Sequence, residues 1–364
     1  MYLARLDIHS LRNIEQARLE LAEGVSLITG DNGSGKTSLL EAVWLLGTGR
    51  SFRSNRIAPV IRYGAESATV YGEVVLLDGS RTSLGITRER AGGVQIKVAG
   101  EAVRATSALA EVLPLQLINQ DSVELVTGPP GGRRRFLDWG MFHVERGFFG
   151  VWKSFRRGLE QRNALLRSNS PLAADELDAW EKRLSEDADL LDRYRRSAVE
   201  ALVPRVASAL AELGGSDIIG LRYASGWDRH LGPLGSVLAA QRESDRVQGF
   251  TRTGPHRAEL RLTVGGRPAA HALSRGQQKI LACALLVAQG RWLAEATSKQ
   301  GLVLVDDLPA ELDREHRERL GRALAGLPAQ VLVTAVQQDL VMAGLDSAAP
   351  LRTFHVEQGR IRAS

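Results

Sequence analysis

One eight-residue stretch, Gly30-Asp31-Asn32-Gly33-Ser34-Gly35-Lys36-Thr37, constrains the fold of this chain more than any other. It is a complete G-x-x-x-x-G-K-[ST] pattern, a loop that functions between a strand ending at it and a helix starting from it. Both flanks comply. Val25-Ser26-Leu27-Ile28-Thr29 is a strand-like run, and Leu39, Leu40, Val43 and Trp44 recur at helical spacing through Leu46. Gly30, Gly33 and Gly35 let the backbone turn its N–H groups inward, forming an anion nest at a helix N-terminus. Such a nest predicts a bound nucleoside triphosphate, with Lys36 reaching the β- and γ-phosphates. The Thr37 hydroxyl is then a ligand to Mg²⁺, which needs only one or two protein oxygens besides phosphates and waters.

At 364 residues the chain suits two domains, or one domain with a large insertion. From Leu3 to Leu21 alternating residues read as two strands joined at Leu11-Arg12-Asn13, and residues 68–104 read as an antiparallel meander with turns at Asp78-Gly79, Gly92-Gly93 and Gly100. Gly128-Pro129-Pro130-Gly131-Gly132 marks a sharp boundary. Beyond it, residues 133–167 predict one long helix and 174–212 a second, whose seam is Leu177, Trp180, Leu184, Ala188, Leu191 and Tyr194, so a helical hairpin is expected. Strands at 217–224 and 257–264, with a helix at 234–248 between them, lead back toward the first domain. Strands alternating with helices after residue 274 predict a mostly parallel α/β sheet around the P-loop.

The single cysteine, Cys283, excludes an internal disulfide and fits a reducing compartment. The charged, alternating N-terminus is unlike a signal peptide, and the longest apolar run is too short to span a bilayer. A soluble cytoplasmic protein is expected.

Leu302-Val303-Leu304-Val305-Asp306-Asp307 has the form of a Walker B strand. Its first carboxylate, Asp306, serves Mg²⁺ and its second, Asp307, positions the attacking water. Leu273-Ser274-Arg275-Gly276-Gln277 resembles the signature loop of ABC-type ATPases in its L-S-x-G-Q form. By that resemblance Ser274, Gly276 and Gln277 contact the nucleotide of a second protomer. Ala310-Glu311-Leu312-Asp313 is similar to the D-loop of that superfamily, and Gln120 occupies the Q-loop position, which implies contact with nucleotide and metal. No histidine stands in Val333-Thr334-Ala335-Val336, where many relatives carry a switch histidine. With Asp307 where many have glutamate, slow ATP turnover is expected, since misplacing a water by an ångström costs about a hundredfold.

Three further stretches resemble the RecF family, the recombination mediators among the ABC-type ATPases related to chromosome-maintenance (SMC) proteins. They are Leu11-Arg12-Asn13-Ile14-Glu15, Gly128-Pro129-Pro130-Gly131-Gly132-Arg133-Arg134-Arg135-Phe136-Leu137-Asp138-Trp139 and Thr253-Gly254-Pro255-His256-Arg257-Ala258-Glu259-Leu260. The resemblance covers essentially the whole chain. It implies an α/β ATPase head with a mixed sheet (1–130 and 255–364) and a largely helical second domain (131–254), whose short hairpin replaces the long coiled coil of larger relatives. It further implies ATP and Mg²⁺ as cofactors, with Arg12 and Asn13 at the nucleotide. The implied partners are a second copy of the chain in an ATP-dependent homodimer, double-stranded DNA and its junctions with single strands, and RecR, with RecO and RecA downstream.

The residues give their own reason for DNA binding. Between Gly131 and Arg167 stand nine basic and three acidic residues, so this segment alone carries +6 against a net charge of +5 for the chain. Arg133, Arg134 and Arg135 at a helix start oppose the helix dipole and call for an anion, and Lys153, Arg156 and Arg157 extend the stripe. Salt bridges within the domain are the competing fate of such a run. A second basic cluster, Arg50, Arg53, Arg56 and Arg62, follows the P-loop helix and suits nucleotide or DNA. His256 reads as a structural hydrogen-bonding residue. A transporter ATPase subunit, a P-loop kinase of small molecules and a DNA clamp that binds ATP without cleaving it are the alternatives.

Overall fold

The computed structural model describes residues 1–364 except 169–172, 216–217, 298, 308–311, 338–343, 346–350 and 364. The chain divides into two compact units. The first comprises Met1–Ser122, Ser208–Ser216 and Lys279–Ser364, and the second Val123–Ala207 and Asp217–Gln278.

The strands, in chain order, are β1 (Tyr2–Leu11), β2 (Ile14–Glu20), β3 (Val25–Thr29), β4 (Ser67–Val75), β5 (Arg81–Glu89), β6 (Val94–Val98), β7 (Glu101–Val103) and β8 (Leu115–Ile118). They continue with β9 (Ile219–Ala224), β10 (Glu259–Val264), β11 (Arg267–Pro268), β12 (Gly301–Val305), β13 (Ala329–Ala335), β14 (Leu351–Glu357) and β15 (Arg360–Ala363).

In the first unit two six-stranded sheets form. One is antiparallel, in the order β2-β1-β4-β5-β6-β7, and contains the expected N-terminal hairpin and meander. The other is mixed, in the order β15-β14-β3-β13-β12-β8, with every neighbour parallel except the terminal hairpin β14-β15. The helix Lys36–Thr48 packs into a core shared by both sheets, its Leu39, Leu40, Val43 and Leu46 joining Leu3, Leu6, Ile8, Val70, Leu304 and Leu332. Ten of its 13 residues are buried. Apolar on nearly all sides, it is a core helix rather than a surface one. The helix Arg275–Thr297 is, among the described residues, long and apolar enough to cross a membrane by length and composition alone. Its Leu281, Ala284, Leu285 and Ala288 are instead buried inside the protein.

The second unit departs from the sequence reading at three points. The expected single helix over 133–167 is two, Pro130–Val144 and Phe148–Leu166. The break falls where the Glu145 carboxylate turns back to accept the Gly147 N–H at 3.2 Å, a local side-chain bond that competes with helical continuation. The second arm is one 40-residue helix, Ala173–Glu212, while 234–248 divides into Leu234–Ala240 and Arg242–Gln248. Residues 255–278, expected with the ATPase domain, group with the helical unit because β10 pairs along its length with β9 and then with β11. The signature stretch around Ser274 therefore lies in the second unit.

Candidate functional site

In the first unit the P-loop runs from the end of β3 into the helix Lys36–Thr48. Two glycines are demanded by close approach as well as by backbone angle. At Gly30 (φ +150°) a Cβ would stand 2.3 Å from the Val356 carbonyl oxygen, and at Gly35 (φ +123°) it would stand 2.9 Å from Asn13 Nδ2. The loop is clamped from both ends of the chain. The Asn13 amide donates to the Ser34 carbonyl at 2.9 Å, and the Gly359 N–H donates to the same oxygen at 2.7 Å.

The buried Lys36 ammonium donates to the carbonyls of Gly30 (2.7 Å) and Asp31 (3.0 Å), both inside the loop it serves. Asp31 contributes that carbonyl, and its side chain is exposed. The loop opens into a cleft of about 650 Å³, whose wall includes Asn13, Asn32, Gly33, Lys36, Thr37 and both Asp306 and Asp307.

The Thr37 hydroxyl donates to Asp306 Oδ1 at 2.9 Å, joining residues 269 positions apart. Parallel pairing explains the meeting. β12 lies between β13 and β8, in register Val305 with Val333 and Ile118, so the Walker B carboxylates leave the sheet at its C-terminal edge. There Thr334, fully buried at the end of β13, donates to Asp306 Oδ1 at 3.0 Å and accepts the Asp307 N–H at 2.7 Å. Asp307 holds φ +51°, the left-handed region. Burial pushes the Asp306 carboxyl above its ordinary 3.8, an effect opposed by the two threonine hydroxyls and augmented by Asp307.

Thr334 is a residue of this cluster that the sequence analysis does not single out, because it belongs to no motif. Its signal was there: a polar residue near the end of the otherwise apolar Val331-Leu332-Val333 run. Arg12 lines the cleft, yet its guanidinium is held in a two-bond pair with Glu41 (2.8 and 2.7 Å) and donates to the Pro59 carbonyl at 2.6 Å. Arg53, from the second basic cluster, also lines the cleft and stands 3.6 Å from Glu41. Gln120 is exposed in a short 3-10 turn just beyond β8 and does not line the cleft.

One carboxylate and one hydroxyl within 3 Å suit Mg²⁺, which takes most of its oxygens from phosphate and water. Among the described residues no group of three or more His, Cys, Asp or Glu forms a metal cluster.

In the second unit Ser274 and Gln277 form a reciprocal capping box at the start of the helix Arg275–Thr297. Gln277 Oε1 accepts the Ser274 N–H at 2.8 Å, and the Ser274 hydroxyl lies 3.4 Å from the Gln277 N–H. Ser274, Gly276 and Gln277 are exposed, and a Cβ on Gly276 would meet nothing within 4 Å. The fold itself thus does not require glycine at 276. In the D-loop stretch, Ala310 and Glu311 lie outside the described residues, while Asp313 caps the helix Arg314–Ala325.

The basic stripe is only partly free. Arg133 makes a two-bond pair with Glu259 (2.8 and 2.9 Å) and also donates to the Gly128 carbonyl, and Arg134 donates to the Ala258 carbonyl at 2.8 Å. Arg135 and Arg157 are exposed. Lys153 lies over the Phe149 ring, and Arg156 lies over Trp152 and 3.3 Å from Glu160.

A P-loop and a Walker B carboxylate bound to its threonine, carried on the mixed sheet of the first unit, together with the capped L-S-x-G-Q helix start of the second, define a P-loop ATPase head of the ABC type. Residues 2–362 match the family model of the RecF/RecN/SMC N-terminal domain. The chain is 46% identical to the DNA replication and repair protein RecF of Stutzerimonas stutzeri over 361 residues, covering 99% of this chain and 97% of that one. It is 45% identical to RecF of Pseudomonas fluorescens strain SBW25, at 99% and 98% coverage. The chain belongs to the RecF family. A solved structure of the recombination mediator protein RecF with ATP superposes with a TM-score of 0.87 at 24% identity, covering 100% of this chain and 97% of that one. An SMC head bound to the C-terminal winged-helix domain of ScpA gives 0.61 at 15%, covering 100% and 97%. Both express the same fold.

Proposed function

We propose that this chain is an ATP-switched DNA-binding protein of cytoplasmic recombinational repair and replication restart. The observation that carries the reading is the 2.9 Å bond between the Thr37 hydroxyl and Asp306, which sets the P-loop and Walker B oxygens at one point. Thr37 and Asp306 are the groups that would hold Mg²⁺, and the ion would neutralise phosphate charge there. Lys36 and the loop N–H groups bind the triphosphate, and Asp307 orients water. Gln120 reaches the site only if its exposed turn moves.

Half of the site is supplied by a second copy. The Ser274–Gln277 cap presents an anion-binding helix start, and the open space at Gly276 supports close approach of a partner's phosphate there. ATP then holds two protomers together on duplex DNA near single-strand gaps, where RecR and RecO are engaged and RecA is loaded. Arg135 and Arg157, with Lys153 and Arg156, are the phosphate contacts this reading favours. Arg133 and Arg134 serve to hold the start of the helix Pro130–Val144 in place. The charge of the stripe favours sequence-independent binding.

Sedimentation of wild type and Ser274→Arg with ATP and a gapped duplex tests the dimer. The wild type is expected to dimerise only with ATP and to turn it over slowly, and Ser274→Arg to bind ATP yet remain monomeric. A Ser274→Arg dimer of wild-type strength would refute the shared site.

A further inference from the structure

We infer that Tyr63 is the base-recognition residue of the nucleotide cleft, stacking its ring on the purine of the bound triphosphate. The inference rests on the proposed nucleotide reading and deepens it. Part of the wall of the cleft beyond the phosphate loop comes from one segment, contributing Ala58, Pro59, Ile61 and Tyr63. That segment is tied to the loop through a short chain of bonds. Asn13 holds the Ser34 carbonyl, and the adjoining Arg12 donates from its backbone to the Val60 carbonyl at 2.8 Å and from its side chain to that of Pro59.

Tyr63 occupies the first corner of a turn closed by the Ala65 N–H on the Arg62 carbonyl at 3.1 Å, with Gly64 (φ +81°) at the second corner. Arg90 braces this turn from outside, donating to the carbonyls of Ala65 and Arg62, both at 3.0 Å. Arg62 ties it from inside, its backbone to Ser10 and its guanidinium to the Asn13 carbonyl at 3.0 Å. The result is a rigid mount carrying a large aromatic ring that is itself 100% exposed.

A core role is excluded by that exposure, and among the described residues of the wall Tyr63 supplies the aromatic ring. The guanidinium of Arg12 is paired with Glu41, and that of Arg90 holds the two turn carbonyls. An exposed ring on a braced turn at the wall of a phosphate-binding cleft suits a base, because a π-face stacks on any purine. Ile61, which is buried, supplies apolar surface beside it.

Calorimetric titration of the full chain with ATP, GTP and inorganic tripolyphosphate tests this, using wild type, Tyr63→Phe and Tyr63→Ala. Tyr63→Ala is expected to weaken ATP and GTP alike by about tenfold, the scale of one aromatic–base stack, and to leave tripolyphosphate unchanged. Tyr63→Phe should bind all three within about twofold of wild type, because the stack needs only a ring. Unchanged ATP affinity in Tyr63→Ala would overturn the assignment, as would equal losses for ATP and tripolyphosphate. If wild-type protein bound tripolyphosphate no better than Lys36→Ala does, the nucleotide reading would fail first, independently of Tyr63.

Discussion

Lys36 and Arg133 are both basic residues in the first turn of a helix entered from a glycine-containing loop, and the protein treats them in opposite ways. Lys36 is parked on two backbone carbonyls, which hold its position and leave its charge uncancelled. Arg133 is locked to the Glu259 carboxylate by two bonds, which cancels its charge. The lesson concerns partners rather than positions. A cation held by dipoles is ready for an anion, whereas a cation held by a carboxylate has already found one.

The largest expected effect of breaking this contrast lies at the phosphate loop. Lys36→Ala should lower ATP affinity by at least about a hundredfold, the loss of a charge-assisted contact at phosphate, with little change in unfolding temperature. A comparable fall in thermal stability would show Lys36 to be a structural brace like Arg133.

The next effect sharpens the contrast through pH. His256 lies in the second unit near Arg134, Arg195 and Arg257, and burial, with those three charges, lowers it from 6.5 to about 4. Its Nε2 bonds the Thr251 carbonyl at 3.0 Å, and Nδ1 is buried with no partner among the described residues. The unfolded chain takes up this proton near pH 6.5 and the folded one only near pH 4. Stability should therefore fall as pH drops through that window, by about 3 kcal/mol. Denaturant titrations of wild type and His256→Gln at pH 7 and pH 4.5 measure it: the variant should lose much of the slope, and an equal slope would remove His256 as its source.

Arg133→Ala should cost about 2 kcal/mol of stability, because it leaves the partly buried Glu259 unpaired, and its duplex affinity at native pH should stay within about threefold of wild type. The double reversal Arg135→Glu with Arg157→Glu should do the reverse, sparing the fold and lowering the log-log salt slope by about 2. DNA affinity that tracked Arg133 instead would invert the comparison. The smallest effect is expected at Thr334→Val. Deleting its hydroxyl removes one donor to Asp306 and one acceptor from Asp307, and Mg²⁺-dependent ATP affinity should fall about fivefold, within the range of one hydrogen bond to a charged group.

The sequence disclosed the P-loop, the Walker B strand and the terminal strand–helix alternation because each is a local pattern with one dominant period. It also disclosed the meander, whose turns carry Asp-Gly and Gly-Gly. It did not disclose the break at Glu145–Gly147, where a short-range carboxylate bond defeats a continuous helical pattern. Nor did it disclose which arginines are free: Arg133 lies 126 residues from Glu259, and only the β9–β10 pairing and the loop before it bring that carboxylate within reach. Thr334 escaped for a related reason, since its role depends on register between parallel strands and not on any motif of its own.

The place of β3 in its sheet has a consequence for how the chain is made. Its two neighbours, β13 and β14, lie about 300 residues later in the chain. At roughly 5–20 residues per second of synthesis, the strand that carries the phosphate loop leaves the ribosome some 15–60 s before either edge can be paired. Nucleotide capture therefore waits for the synthesis of β13 and β14, and a nascent chain stalled short of β13 has a phosphate loop with no sheet to hold it.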